Sequence, residues 1–316
     1  MAPALPDPTQ EGTIPFSIPA SNTTSQTAYK IFGSLTSLNT PLVILHGGPG
    51  LGHEYTLPLT ILASQHNTPI ILYDQIGCGA STHFPEAKTE FWTVALFVAE
   101  LENLIAHFDL KEYDVLGHSF GGILAIAHAA KQPTGLRRLV LAGAAPDGEL
   151  FSQGLLKLKG ELSEPAQEAI DQAVREGVFT SPAYLAAMTE FHRTFLCRAP
   201  DPYPPPYLEA NFEHEKENPE IRRAMEGPSP FVYDGCLRRY SSIPLLPEIN
   251  VPTLVFDGEF DTPQEATTPL FWGLQKVRWV TLRGASHMPW LDSEEGLERV
   301  VELVGVFLGQ GKGEES

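Results

Sequence analysis

Apolar residues in the first half of the chain fall in short unbroken runs, separated by stretches with helical spacing. Pro41–Leu45 (PLVIL), Pro69–Tyr73 (PIILY) and Leu139–Ala142 (LVLA) are apolar at successive positions, and Tyr113–Leu116 (YDVL) is so except at Asp114. Both faces of each run are therefore predicted to be covered, as in parallel strands packed between layers of helices. Between them, Phe91–Phe108 sets Leu96, Leu101, Leu104 and Ile105 on one helical stripe. Gly121–Ala130 reads as a compact small-residue helix stopped by Pro133. The alternation resumes near residue 250 with strands at Pro252–Phe256 (PTLVF) and Val277–Leu282 (VRWVTL). A terminal helix then starts around Asp292 or Ser293, with Leu297, Val300, Val301, Val304 and Leu308 as its apolar stripe. Strands split by helices at both ends predict an α/β class protein with an open, doubly wound, mostly parallel sheet.

Residues 146–245 break this alternation. The stretch is helical in spacing, charged and Pro-punctuated, and carries Tyr184, Phe191, Phe195, Tyr207, Phe212, Phe231 and Tyr233. An insertion between two sheet strands is expected over their carboxyl ends, where α/β folds bind ligands. The expected organisation is a core of residues 1–145 and 246–316, with 1–20 as an extended N-terminal segment, and a helical cap over 146–245.

Composition narrows the function. The 316 residues suit one α/β unit with an insert. A formal net charge of −18 repels phosphate backbones and anionic lipids, so neither a nucleic-acid nor a membrane partner is expected. Three widely spaced cysteines make no disulfide framework. The N-terminus lacks a basic start followed by an apolar run, and a cytosolic setting is the expectation. No His, Cys or carboxylate grouping has zinc-like spacing and no phosphate-cradling loop is present, so a cofactor-free reaction is expected.

The chemistry-bearing residues lie at the predicted strand ends. Gly117-His118-Ser119-Phe120-Gly121 fits the G-x-S-x-G nucleophile elbow, in which small flanks permit a tight strand-to-helix turn. His46-Gly47-Gly48-Pro49-Gly50 follows an earlier strand. Its glycines can turn a backbone N–H toward a developing oxyanion, and Gly48 is assigned that role together with Phe120, which follows the serine. A serine hydroxyl needs a base. His287, between the last strand and the last helix, occupies the expected place, and Asp261 in Asp257-Gly258-Glu259-Phe260-Asp261 is the assigned acid. Asp257 is the runner-up and Asp147 a distant third. His46 and His118 adjoin motif residues and are expected to point elsewhere.

With these residues in place, the chain resembles the proline iminopeptidase-like branch of the α/β-hydrolases, nearest in pattern to tricorn-interacting aminopeptidases and microbial amino-acid amidases. The resemblance spans roughly residues 25–308. It rests on His46–Gly50, on Tyr73-Asp74-Gln75-Ile76-Gly77-Cys78-Gly79-Ala80-Ser81, on the elbow, on Gly227-Pro228-Ser229 and on Gly258-Glu259-Phe260-Asp261. It implies a structural turn beside the pocket at Asp74–Ser81, with Cys78 a buried thiol. In the tricorn-interacting type, one glutamate precedes the phenylalanine of a G-P-N-E-F cap motif and another follows the triad aspartate; together they hold the substrate's ammonium. Pro230 and Thr262 stand at those positions here. A hydrogen bond to a charged group contributes about 1.5–3 kcal/mol, so losing two costs on the order of 10²–10⁴ in affinity.

The expected activity is therefore acyl transfer to water from a small neutral amide, ester or lactone enclosed under the aromatic cap, a task the resemblance associates with specialised metabolism. One rival is an aminopeptidase or amidase whose anchors have moved to Glu190, Glu226 or Glu259. Another is a non-hydrolytic pocket protein or pathway cyclase on the same fold. Glu190, Glu226, Phe231 and Tyr233 are the expected substrate contacts, and the expected partner is a small molecule.

Overall fold

A computed structural model describes residues 5–19, 23–36, 39–261 and 264–309. Its frame is a sheet of eight strands: β1 (Gln10–Ser17), β2 (Thr24–Phe32), β3 (Leu42–Leu45), β4 (Ile70–Tyr73), β5 (Tyr113–His118), β6 (Leu136–Ala142), β7 (Thr253–Gly258) and β8 (Val277–Leu282). They lie in the order β1-β2-β4-β3-β5-β6-β7-β8. β1 and β2 form an antiparallel pair, β2 runs antiparallel to β4, and every later pairing is parallel.

The pleat explains the unbroken apolar runs. Val43, Leu45, Ile71, Tyr73 and Val115 point into a core shared with helices α1 (Val94–His107) and α2 (Phe120–Ala129). Their neighbours Leu42, Ile44, Ile70, Leu72 and Leu116 point into a second core on the opposite face. Successive side chains alternate faces, so a strand sandwiched between two cores needs apolar residues at every position.

Between β6 and β7 lie α3 (Gly148–Lys159), α4 (Glu164–Glu176), α5 (Pro182–Phe191), a π-helical turn at His192–Leu196, α6 (Pro206–Glu217) and α7 (Glu220–Met225). This segment has its own apolar cluster, including Leu155, Ile170, Tyr184, Phe191, Phe195 and Phe231. After β7 come α8 (Thr268–Gly273) and, beyond β8, α9 (Glu294–Gly309), which buries Leu297, Val300, Val301, Val304 and Leu308. Among the described residues no helix is long and apolar enough to cross a membrane.

The β1–β2 hairpin was not predicted from sequence. The expected extended segment 1–20 contains β1, whose outward positions are polar and which carries Pro15. Only Ile14 and Phe16 of that strand are buried, too short an alternation to stand out.

Candidate active site

β5 ends at His118 and α2 begins at Phe120, so Ser119 alone makes the turn between them, at φ 54° and ψ −119°. Such a backbone costs a non-glycine residue about 1–3 kcal/mol and survives only where its surroundings enforce it. The flanking glycines are what allow it. A Cβ on Gly117 would stand 2.3 Å from the Gly121 carbonyl oxygen, and one on Gly121 would stand 2.2 Å from that of Leu45. The glycine turn after β3 lies against the nucleophile, for a Cβ on Gly47 would come within 2.9 Å of Ser119 Cβ. Gly48 takes φ +116°.

His287 Nδ1 is hydrogen-bonded to Asp261 Oδ1 in a buried contact. The pair packs against Gly143, where a Cβ would lie 2.7 Å from His287 Nδ1. The other two candidate acids are occupied elsewhere. Asp257 accepts from Trp279 Nε1 at 2.9 Å and Thr281 Oγ1 at 2.8 Å, and burial pushes it up to about 6. Asp147 caps α3 by accepting from Leu150 N at 3.0 Å. Asp261 is the carboxylate that meets the imidazole.

Tyr55, outside the sequence motifs, and His118, inside the elbow motif, link the glycine turn to His287. Tyr55 Oη accepts from Gly47 N–H at 2.5 Å and lies 2.7 Å from His118 Nδ1. With that N–H donated to the phenol, the phenol donates to His118 Nδ1, leaving His118 Nε2–H to donate to the His287 carbonyl at 3.0 Å. Burial holds His118 well below its ordinary range, which fits a neutral ring. A chain of hydrogen bonds thus runs from the glycine turn to the backbone of His287. The expectation that His118 points elsewhere is corrected: it lines the same cavity as Ser119 and His287.

The Asp74–Ser81 turn gains a physical role. Gln75 N–H donates to His46 Nε2 at 3.0 Å, and Gln75 Nε2 donates to the His46 carbonyl at 2.8 Å. Asp74 accepts from His53 N at 2.9 Å and Ala80 N at 2.9 Å and contacts His53 Nδ1 at 2.8 Å. Burial pushes Asp74 upward, but His53 outweighs it and holds the carboxyl at about 2. His53, Glu54 and Asp74 could bring ligand atoms within 4.8 Å of one another. Asp74 is already committed to backbone N–H groups, so the grouping is a clasp that fixes the glycine turn. Cys78 is a buried free thiol.

Two cavities meet at Ser119. The larger, about 720 Å³, is lined by Gly48, His118, Ser119, Phe151, Leu155, Phe191, Leu196, Phe212, Glu215, Arg222, Glu226, Pro230, His287 and Met288, among others. The smaller, about 330 Å³, is lined by Gly48, Ser119, Phe120, Ile123, Gly143, Ala145, Phe151, Glu226, Tyr233 and neighbours. The segment between β6 and β7 is tied to His287 itself, with His287 N–H donating to Phe195 O at 2.9 Å and Met288 N–H to Leu196 O at 3.1 Å.

Of the expected substrate contacts, Glu226 and Tyr233 line these cavities, whereas Glu190 and Phe231 do not. Glu190 accepts from Ser163 N at 2.6 Å and Ser163 Oγ at 2.8 Å. Phe231 packs edge-on against Phe191 in the inserted segment's own core. Glu259 is likewise turned away, accepting from Gly284 N at 2.8 Å. Pro230 lines the larger cavity, so the family's first anchor position is at the site but apolar here. Thr262, at the second, lies outside the described residues. Glu215 and Arg222, which no sequence motif marks, face the larger cavity beside Glu226.

An elbow serine, a histidine–carboxylate pair at the ends of later strands and a glycine turn beside them, on a mostly parallel eight-stranded sheet, define a hydrolase. A model of the alpha/beta hydrolase family matches residues 42–303, and the chain belongs to that family. Within it the chain resembles proline iminopeptidases. It is 35% identical over 273 residues to the proline iminopeptidase of Lactiplantibacillus plantarum, covering 84% of this chain and 92% of that protein. It is 34% identical to that of Levilactobacillus brevis, covering 84% and 88%. Among solved structures, VinJ superposes with a TM-score of 0.89 at 35% identity, covering 96% of this chain and 99% of VinJ. The proline iminopeptidase of Mycobacterium smegmatis gives 0.84 at 31% identity, covering 95% and 98%.

Proposed function

We propose that this hydrolase releases a small aminoacyl group from an amide or ester through an acyl-enzyme on Ser119, with Glu226 holding the substrate's free ammonium. The observation that carries this reading is the placement of Glu226. It is the only one of the three relocated-anchor candidates to reach the cavities, and it lines both of them beside Ser119. Its Oε2 accepts from Arg222 Nε at 3.2 Å. The likeness to proline iminopeptidases supports the same substrate class.

Ser119 Oγ attacks the carbonyl carbon while His287 Nε2 takes the hydroxyl proton. Asp261 accepts from Nδ1–H and stabilises the imidazolium. The negative charge that develops on the carbonyl oxygen is met by the N–H groups of Gly48 and Phe120, the latter at the first turn of α2, where no intrahelical carbonyl claims it. Collapse of the tetrahedral species passes the proton from His287 to the leaving amine or alcohol. Water then gives its proton to His287 and attacks the acyl carbon, freeing the amino acid and Ser119.

Turnover of prolyl and alanyl anilides compared with their N-acetylated forms tests the reading. Acetylation is expected to lower kcat/KM about 10- to 100-fold, the worth of one charged hydrogen bond, and Glu226→Gln is expected to erase the difference. Equal turnover of both forms returns the neutral-substrate reading, which the apolar lining and Pro230 favour. Absence of fluorophosphonate labelling in the folded protein, where Ser119→Ala should be what abolishes it, would favour a non-hydrolytic pocket.

A further inference from the structure

Glu226 does not stand alone. Arg222 on α7 is half-buried and donates from Nε to Glu226 Oε2 at 3.2 Å and from Nη1 to Glu215 Oε1 on α6. All three line the larger cavity, but only Glu226 also reaches the smaller one. The backbone that carries Arg222 packs on the glycine turn: a Cβ on Gly50 would lie 3.6 Å from Arg222 N. The cluster therefore sets two carboxylates against one guanidinium. The other titratable groups around it are His287, Tyr233, Tyr184 and His192. His192 is neutral, burial taking it down to about 3, and burial raises both phenols, which stay protonated.

We propose that Arg222 is the positioning residue of the amine site, favouring the ionised form of Glu226 and fixing its carboxylate where the two cavities meet beside Ser119, so that the fully ionised cluster carries one net negative charge and fits a substrate with a single ammonium. The proposal rests on Glu226 being the anchor. Burial pushes Glu226 up to about 7 even with Arg222 opposing it, and Glu215 adds to the rise. Without the guanidinium, the buried carboxyl nearer Ser119 takes up a proton at neutral pH and can no longer pair with an ammonium.

The test is the pH dependence of kcat/KM for alanyl p-nitroanilide, read against its N-acetylated form, whose acidic limb does not include the anchor. In Arg222→Gln the acidic limb for the free amine should move alkaline by about one unit or more, and KM at pH 7 should rise on the order of tenfold with kcat within about threefold. Arg222→Lys should recover most of the shift. Glu215→Gln removes the like charge and should move the limb the opposite way, toward acid, which decides the matter if Arg222→Gln does not fold, as judged by its thermal melt and Ser119 labelling. An unmoved limb in the folded variants, or tighter free-amine binding in Arg222→Gln because the guanidinium had been competing with the substrate, overturns the proposal. If Glu226→Gln itself leaves the preference for free amines intact, the anchor reading falls. If that substitution is effective while those at Arg222 and Glu215 are silent, only the role of Arg222 falls.

Discussion

At Gly121 a methyl group has nowhere to go, because the atom it would strike is a backbone oxygen of the central strand β3. Gly121→Ala is therefore expected to cost at least about 3 kcal/mol and to lose activity with it; a thermal melt matching that of the wild type would contradict this. The Tyr55 hydroxyl makes a subtler contribution. Tyr55→Phe strips partners from Gly47 N–H and His118 Nδ1 in a buried site, a loss of about 1–3 kcal/mol in denaturant melts. It should also lower kcat by roughly tenfold, because the oxyanion turn is no longer tied to the base. The serine, the histidine and the glycine turn were legible in sequence because each must sit at a strand end in a fixed chain order. Sequence ranks Asp261 above Asp257 by its place in the loop beyond the strand, and the contacts of Trp279 and Thr281 with Asp257 give the physical reason the latter does not meet His287. His118 was misread because the direction of a ring at the last residue of a strand depends on the pleat. Arg222 and Glu215 carry no motif, and their meeting depends on how α6 and α7 pack.

The central strands and the flanking helices α1, α2 and α9 could be read almost to their ends, since burial on two faces or along one stripe leaves a periodic trace. The Asp74–Ser81 turn could be recognised but not explained. Its function is to clasp neighbouring elements, and part of that clasp is Glu100 on α1, which accepts from Thr27 Oγ1 on β2 at 2.5 Å and from Ile76 N at 2.8 Å. Burial pushes Glu100 up to about 8, against the pull of those two donors. A carboxyl raised in the folded state binds its proton more tightly there than in the unfolded chain. Its contribution to stability is full below about pH 4.5 and is lost as pH climbs through about 8. Glu100→Gln removes that dependence. Between pH 6 and 9 the variant should gain on the wild type by up to about 3 kcal/mol in chemical denaturation, and parallel pH profiles for the two proteins would refute the assignment.

The whole molecule carries a net charge of −18, which draws cations toward it at low ionic strength. If the substrate bears an ammonium, kcat/KM should fall several-fold between about 20 and 200 mM NaCl as the field is screened, while that for the N-acetylated form stays flat. Equal salt dependence would leave the charge to solubility alone. Alternation foretold the mostly parallel sheet. It could not foretell that the segment between β6 and β7 would be joined by its own backbone to the peptide of His287 and the residue after it. An outward swing of residues 195–196 has to break those two bonds and loosen the imidazole's footing, so an opening at that point and a fixed His287 ring exclude each other. A path to Ser119 that leaves the imidazole in place then has to run through other parts of the cavity's rim.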